Sequence, residues 1–365
     1  MPNIIRKFDS LTLSASILLG FIIVVAFHPY GVLGLTYDSH DILAASKDLH
    51  TYLHGRNQDG HSYLVRAPLH PIFLSFFGNK VVAMWWVNLS SILASLVLVY
   101  KIARINNLSA NACRLAVLIT GIFTPWLINF MYLWTEPVFI VFVLLLCYAL
   151  LEKWSVTSVI VICVILFLTR KAGLFFFAAA AATYLLEGKR MNAASTVAFG
   201  VFVFILWEWL EFTCGSTGYI FAWIPKLQTY SRVYYVEAVT SWFLPLQITL
   251  IFRVVAVALL VLSVLVFFST QLFGALRQRQ NVVLLTLAST YVLILVSFRG
   301  ISEYEDGERY LTVVFPFLLI FSINLLSRIW ETSEKPLQFF ICLVIGLWLT
   351  YISLRLVHYF FWPVV

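Results

Sequence analysis

Charged residues are scarce in this sequence, and their scarcity limits what the protein can be. Asp, Glu, Lys and Arg make up 11% of the 365 residues, whereas 62% of the residues are hydrophobic. Soluble globular proteins carry about 25% charged residues, so an ordinary water-soluble domain is excluded and a polytopic membrane protein is predicted. The net charge of +7 does not indicate a nucleic-acid partner, because most of the cations separate apolar segments and mark membrane topology.

Paired cysteines and internal repeats are also lacking. The five cysteines occur singly, mostly inside apolar segments and never with CxxC spacing, so the sequence indicates neither a disulfide framework nor a zinc site. No repeat, low-complexity tail or appended soluble domain is recognisable. The chain is therefore expected to form a single transmembrane domain over residues 1–365.

Apolar segments long enough to cross a membrane recur along the chain. A spanning helix needs about 20 apolar residues. The segment 156–186 is long for one span, and a single span would bring Arg170 and Lys171 near the bilayer centre, so two short spans are favoured. With them, about eleven transmembrane helices are predicted in an all-α fold. The other candidate spans are 11–33, 82–103, 113–130, 136–152, 193–213, 248–272, 281–298, 310–327 and 337–358.

The polar residues collect in three stretches on one side of the predicted membrane. Arg6 and Lys7 precede the first span and no cleavage motif follows it, so a retained anchor with a cytoplasmic N-terminus is expected. This topology places the loops 34–80, 214–247 and 299–309 outside. Lys and Arg are equally numerous on both sides, so the charge distribution does not decide the orientation. Clearly central span positions lack ionisable residues, which argues against a proton-coupled transporter or channel.

The first outer loop begins with the polar segment TYDSHDILAASKDLH. Residues 40–55 place Ile42, Leu49 and Leu53 on one helical face with charged residues elsewhere, which predicts a helix lying in the membrane interface. Asp38 or Ser39 would stand at the start of this helix, where either side chain is suited to cap it.

Three further charged residues stand where apolar spans begin or resume. Arg66 precedes two prolines, Glu136 lies between Thr135 and Pro137, and Arg309 precedes the span that starts at 310. Each has a structural interpretation: a snorkelling arginine, a carboxylate at a capped helix N-terminus, and an interfacial anchor. The sequence alone leaves these alternatives open.

Taken in order, the polar landmarks resemble the GT-C class of integral-membrane glycosyltransferases. Enzymes of this class, which includes the dolichyl-phosphate-mannose mannosyltransferases, transfer a sugar from a polyprenyl-phosphate carrier on the extracytoplasmic face. The resemblance covers residues 38–316 and consists of YDSHD, an interfacial helix, RAPLHP, TEP, LTRKAGL and ERYL followed by a proline.

The resemblance implies roles for individual residues. Asp38 matches the catalytic carboxylate, with Asp41 as its rival and Glu136 as a further acidic candidate. A general base would take the proton of the acceptor hydroxyl, and arginines would bind the phosphate of the donor. The implied substrate-binding residues are Arg66, His70, Arg170, Lys171, Glu305, Arg309 and Tyr310.

The resemblance also implies the partners and the location. These are a polyprenyl-phosphate sugar donor, the lipid bilayer and a site on the extracytoplasmic face, with no nucleic acid. Apart from the resemblance, the lack of a soluble outer domain favours a glycan or glycolipid acceptor, and the compact size of the chain favours a bacterial inner membrane. Glu208, Glu211 and Glu237 are secondary candidates for acceptor binding.

A divalent cation is an alternative that the residues leave open. Asp38, His40 and Asp41 form a DxHD cluster, and an oxygen-rich set of this kind suits Mg²⁺ or Mn²⁺. The sequence nevertheless favours a site without an obligatory metal. Three other functions compete with glycosyl transfer: a transporter (flippase) of lipid-linked glycans, a polysaccharide polymerase or ligase, and a structural membrane subunit.

Overall fold

The computed structural model describes residues 36–57, 60, 62–132, 134–214, 233–298 and 304–361. The predicted first span, 11–33, lies outside these residues. Within the described residues the chain is helical and has no strand, apart from an isolated antiparallel bridge between Arg56 and Ser62. The all-α class is thereby confirmed.

The helices are numbered here in chain order. They are α1 Tyr37–Ala45, α2 Leu49–His54, α3 Leu69–Ser75, α4 Lys80–Ile105, α5 Ala110–Ile122, α6 Thr124–Met131, α7 Glu136–Leu151, α8 Val156–Thr169, α9 Leu174–Leu186, α10 Arg190–Thr213, α11 Val233–Ser241, α12 Leu250–Phe267, α13 Ser269–Leu276, α14 Arg279–Phe298, α15 Tyr304–Leu311, α16 Phe315–Thr332 and α17 Lys335–Phe361. Short 3₁₀ turns occupy Tyr63–Val65, Lys171–Gly173 and Thr312–Val314.

Six of the described helices are long and apolar enough to cross a membrane, or seven if the bent pair α5 and α6 forms one span. An integral membrane protein is therefore supported, but the predicted count of about eleven spans is not confirmed. The helix α7 has 16 residues, which at 1.5 Å per residue is about 24 Å, shorter than the hydrocarbon core of about 30 Å. The helices α8 and α9 are shorter still, with 14 and 13 residues.

Two breaks interrupt segments that are apolar throughout. The predicted span 113–130 bends by 59° between α5 and α6, where Pro125 occupies the first turn of α6. The segment 156–186 breaks at Arg170, which is extended, with φ −151° and ψ 137°. A Cβ atom on Gly173 would lie 2.2 Å from the carbonyl carbon of Leu166, so this close chain reversal requires glycine. The segment therefore forms two helices, but both are among the shorter apolar helices and not among the candidate spans, so their prediction as two membrane spans stays a prediction.

The first outer loop folds differently from its prediction. The predicted single helix over 40–55 is two helices, because Asp48 caps the start of α2 after a break. The cap of α1 is Thr36, which forms a reciprocal capping box with Ser39, so Asp38 lies inside the first turn and is not the cap. The expected apolar face is not continuous across the break, because Ile42 in α1 is buried while Leu49 in α2 is exposed.

The packing of the helices determines which of them lie at the centre. The helix α4 packs along α7, and α9 packs against α10 and α14. In contrast, the most apolar windows of α12 and α17 are each only 6% buried, and large side chains such as Phe267 and Phe339 are exposed. Helices of this kind suit contact with lipid. The polar landmarks lie near the ends of helices: Asp38 in the first turn of α1, Glu136 at the start of α7 and Arg309 in the last turn of α15.

Candidate functional site

Residues from four distant parts of the sequence meet in one cluster of charges. The Arg309 Nη2 atom lies 2.8 Å from Asp38 Oδ2, and the Arg309 Nε–H donates to Glu136 Oε1. The Arg66 Nη2 atom lies 2.7 Å from Asp38 Oδ1. Each carboxylate oxygen of Asp38 therefore faces its own guanidinium group. Asp38 and Arg309 are therefore in direct contact, and the face of the membrane on which they lie stays a prediction.

A second guanidinium shares the buried carboxylate. Arg170 pairs with Glu136 Oε1, and its guanidinium carbon lies 4.8 Å from the ring centroid of Tyr310. The Glu136 side chain has no exposed surface. Thr135 is not a side-chain cap for α7, because its hydroxyl donates to Glu136 Oε2 at 3.3 Å. Glu136 therefore positions Arg170 and Arg309 and is not accessible to a ligand in this structure.

Asp38 keeps an open side. Its side chain is 24% exposed, against 11% for Arg309. Burial alone would raise the pKa of Asp38, but the positive charges of Arg66 and Arg309 outweigh burial and lower the pKa to about 2. Asp38 is thus ionised at neutral pH, and its basicity depends on how firmly the two arginines bind it.

Asp41 takes part through Arg66. The Arg66 Nη2 atom lies 3.0 Å from Asp41 Oδ2, so one guanidinium bridges Asp38 and Asp41. The Asn57 side chain donates to the same oxygen at 3.5 Å, and the Tyr52 hydroxyl donates to the Arg66 carbonyl oxygen at 2.8 Å. Asp41 therefore orients Arg66 beside Asp38.

Trp134 belongs to the cluster although the sequence did not single it out. The Arg309 guanidinium carbon lies 3.8 Å from the Trp134 ring centroid, a cation–π contact. The indole N–H donates to the Thr36 hydroxyl at 2.7 Å, and Tyr132 stacks on the ring at 4.5 Å. Trp134 thereby joins Arg309 to the cap of α1. The sequence offered one indication of this role, the position of Trp134 two residues before Glu136. That position is not specific, because interfacial tryptophans are common in membrane proteins.

The remaining predicted substrate-binding residues are His70, Lys171 and Glu305. His70 is buried, and neither ring nitrogen has a hydrogen-bond partner among the described residues. Burial lowers the pKa of His70 to about 4 against the attraction of the Glu136 charge, so its ring is neutral. Lys171 forms a neighbouring ion pair with the buried Glu211. The backbone of Glu305 lies in α15, but its side chain is outside the described residues.

The alternative metal site is not supported. In the described part of the chain, no group of three or more His, Cys, Asp or Glu residues could hold a metal ion. His40 is exposed, and Arg66 lies between Asp38 and Asp41. The Arg66 guanidinium already bridges the two carboxylates that the DxHD pattern offered to a cation.

Two of the secondary acceptor candidates are also in ion pairs. Glu211 accepts a hydrogen bond from the Trp207 indole at 2.5 Å in addition to its pair with Lys171. Glu237 lies 3.3 Å from Nη2 of the buried Arg253. Both carboxylates are therefore explained by structural partners. The third candidate, Glu208, lies on the same helix as Glu211.

The cluster combines a proton acceptor with groups that bind anions. Asp38, Asp41 and Glu136 balance Arg66, Arg170 and Arg309 in charge. An anion that enters must therefore compete with a carboxylate for an arginine, and Asp38 is the carboxylate with the largest exposed fraction among those that contact Arg309. No protein-family model, curated protein or solved structure matches the chain.

Proposed function

We propose that this protein is an integral-membrane glycosyltransferase of the GT-C type. It transfers a sugar from a polyprenyl-phosphate-linked donor to a hydroxyl group of a glycan or glycolipid acceptor. The observation that carries the proposal is the contact of the partly exposed Asp38 carboxylate with both Arg66 and Arg309. A base and two phosphate-binding groups at one exposed point are what transfer from a lipid phosphate requires.

The proposed reaction is a single displacement. Asp38 takes the proton of the acceptor hydroxyl, whose oxygen attacks the anomeric carbon of the donor as the bond from that carbon to the phosphate oxygen breaks. The leaving polyprenyl phosphate gains one negative charge, and the guanidinium groups of Arg66 and Arg309 stabilise it. Attack on the face opposite the leaving group inverts the configuration of the sugar.

Donor binding would also activate the base. In the free protein two arginines hold the pKa of Asp38 at about 2, which makes Asp38 a weak base. A donor phosphate that draws Arg66 or Arg309 toward itself removes part of that attraction, and burial then raises the pKa of Asp38. The base would become effective only when the donor is bound.

The membrane setting supports a lipid-linked donor. The site lies where α1, α7 and α15 begin or end, at one end of the long apolar helices. We assign this end to the extracytoplasmic face of a bacterial inner membrane, with about eleven spans and a cytoplasmic N-terminus. Nucleotide sugars are not supplied on that face, whereas a polyprenyl phosphate carries an activated sugar within the bilayer.

Mass spectrometry of surface glycans and lipid-linked sugars tests the proposal. Cells that lack the protein are complemented with wild type, Asp38→Asn or Asp48→Asn at matched membrane levels. Asp48 is exposed, lies in the same loop and caps α2 through Thr51, and Asn retains that function. Wild type and Asp48→Asn should restore one sugar residue, and Asp38→Asn should not.

Two results would contradict the proposal. Full restoration by Asp38→Asn would show that Asp38 is not the base. Accumulation of complete lipid-linked glycans in cells that lack the protein, with no sugar residue missing, would instead indicate a transporter or a ligase.

A further inference from the structure

A second buried charge cluster lies beside the site. It is formed around Glu308, the residue of α15 that precedes Arg309. The Arg355 Nη2 atom donates to both carboxylate oxygens of Glu308, at 2.7 and 2.6 Å. The Arg355 Nη1 atom donates to the Ser241 carbonyl oxygen at 3.1 Å, and the Ser241 hydroxyl donates to Glu308. The Glu308 side chain is 6% exposed. This cluster joins α11, α15 and α17.

The helix α17 reaches α11 through one stripe of polar side chains. The Trp348 indole donates to the Trp242 carbonyl at 2.9 Å, and the Tyr351 hydroxyl donates to the Ser241 carbonyl at 2.7 Å. Together with Arg355, these residues follow the i, i+3, i+7 spacing of a single helix face. They satisfy carbonyl groups at the C-terminal end of α11, where a cation is also favourable. This polar stripe contrasts with the rest of α17, whose apolar window is only 6% buried.

The helix α15 is therefore held from two directions. Glu308 and Arg309 are consecutive, so their side chains leave the helix about 100° apart. Glu308 faces Arg355, whereas Arg309 faces Asp38 and Glu136. Loss of the first contact would leave α15 held by the Arg309 contacts, by its packing on α11 and α6, and by its continuation through the 3₁₀ turn Thr312–Val314 into α16.

We propose that Arg355 is a positioning residue for Arg309. It acts through Glu308, which accepts hydrogen bonds from both Arg355 and Ser241. Arg355 thereby keeps α15 at the distance at which Arg309 contacts Asp38. The significance of this position for donor phosphate binding rests on the proposed function, whereas the mechanical link from Arg355 to α15 does not.

Hydrogen exchange of the full chain in detergent tests the mechanical link without any ligand. In Arg355→Gln, the backbone amides of α15 should exchange about tenfold faster or more, because a hydrogen-bonded charge has been removed from a buried carboxylate. Arg355→Lys should give an intermediate rate, since a cation remains.

A matched control removes a comparable arginine at the far end of α14. Arg279 pairs with Glu187 at 2.5 Å, and Arg279→Gln should leave exchange of α15 unchanged. Unchanged exchange of α15 in Arg355→Gln, or equal acceleration in Arg279→Gln, would overturn the inference.

Binding of farnesyl phosphate in detergent, measured by calorimetry, tests the consequence for the site. Arg355→Gln should weaken binding about tenfold, and should weaken it little further in an Arg309→Gln background, because both changes then act through the same side chain. If the two losses multiply, Arg355 acts independently of Arg309 and the inference is wrong. If wild type itself does not bind farnesyl phosphate, the proposed function fails, and the exchange measurement alone decides the role of Arg355.

Discussion

Replacement of the buried Glu136 should destabilise the protein more than replacement of any exposed carboxylate. Glu136 is the shared partner of Arg170 and Arg309 and has no exposed surface. In Glu136→Gln the side-chain volume is retained, but two guanidinium groups lose their buried counter-charge. Removal of one partner from a buried ion pair costs about 3–5 kcal/mol, because the remaining charge is left without compensation.

The size of this effect can be checked by thermal unfolding in detergent. A loss of 3–5 kcal/mol corresponds to a decrease in Tm of roughly 6–20 °C at 2–4 °C per kcal/mol. Glu187→Gln is the matched control, since Glu187 also pairs with an arginine but its partners Arg279 and Lys189 are 30% and 41% exposed. That replacement should cost about 1 kcal/mol or less.

A double substitution makes the test sharper. In Glu136→Gln/Arg170→Gln, one of the two cations that had lost the Glu136 charge is also removed. The double variant should therefore be more stable than the sum of the single effects predicts. If Glu136→Gln lowers Tm no more than Glu187→Gln does, Glu136 is not the counter-charge of the cluster. Additive effects in the double variant would refute the coupling of Arg170 to Glu136.

Three further predictions concern the same region. The pKa of Asp38 is lowered from 3.8 to about 2, so Asp38 should contribute stability that is fully present above about pH 4 and is lost as pH falls through 2. In thermal unfolding measured against pH, Asp38→Asn should lack this loss of stability in acid. An identical loss in Asp38→Asn and wild type would contradict the prediction. Gly173→Ala should prevent folding to the native form, measured as the yield of monodisperse protein after extraction. Gly346→Ala should behave as wild type, because an added Cβ atom there would meet no atom within 4 Å. Trp134→Phe keeps an aromatic ring against Arg309 but loses the hydrogen bond to Thr36, so it should cost about 1 kcal/mol in unfolding free energy, and Trp134→Ala should cost more; equal losses would argue against a role of the ring.

Several features of the fold could be predicted from local sequence. The helical membrane class follows from composition, since a chain with 11% charged residues cannot cover a soluble surface. The break after Thr169 was predictable, because adjacent cations in an apolar segment are costly at the bilayer centre. In contrast, the division of 40–55 into α1 and α2 was missed, because an Asp suited to helix capping lies within an otherwise regular helical pattern.

The residues of the candidate site were recognisable as types, but their contacts were not. The sequence by itself determined that Asp38, Arg66, Glu136 and Arg309 are polar residues at the edges of apolar segments. Only the tertiary structure decided that Glu136 is buried behind the arginines while Asp38 remains partly exposed. The physical reason is that residues separated by 271 positions, such as Asp38 and Arg309, meet through the packing of helices, and burial and ion pairing depend on that packing rather than on local sequence.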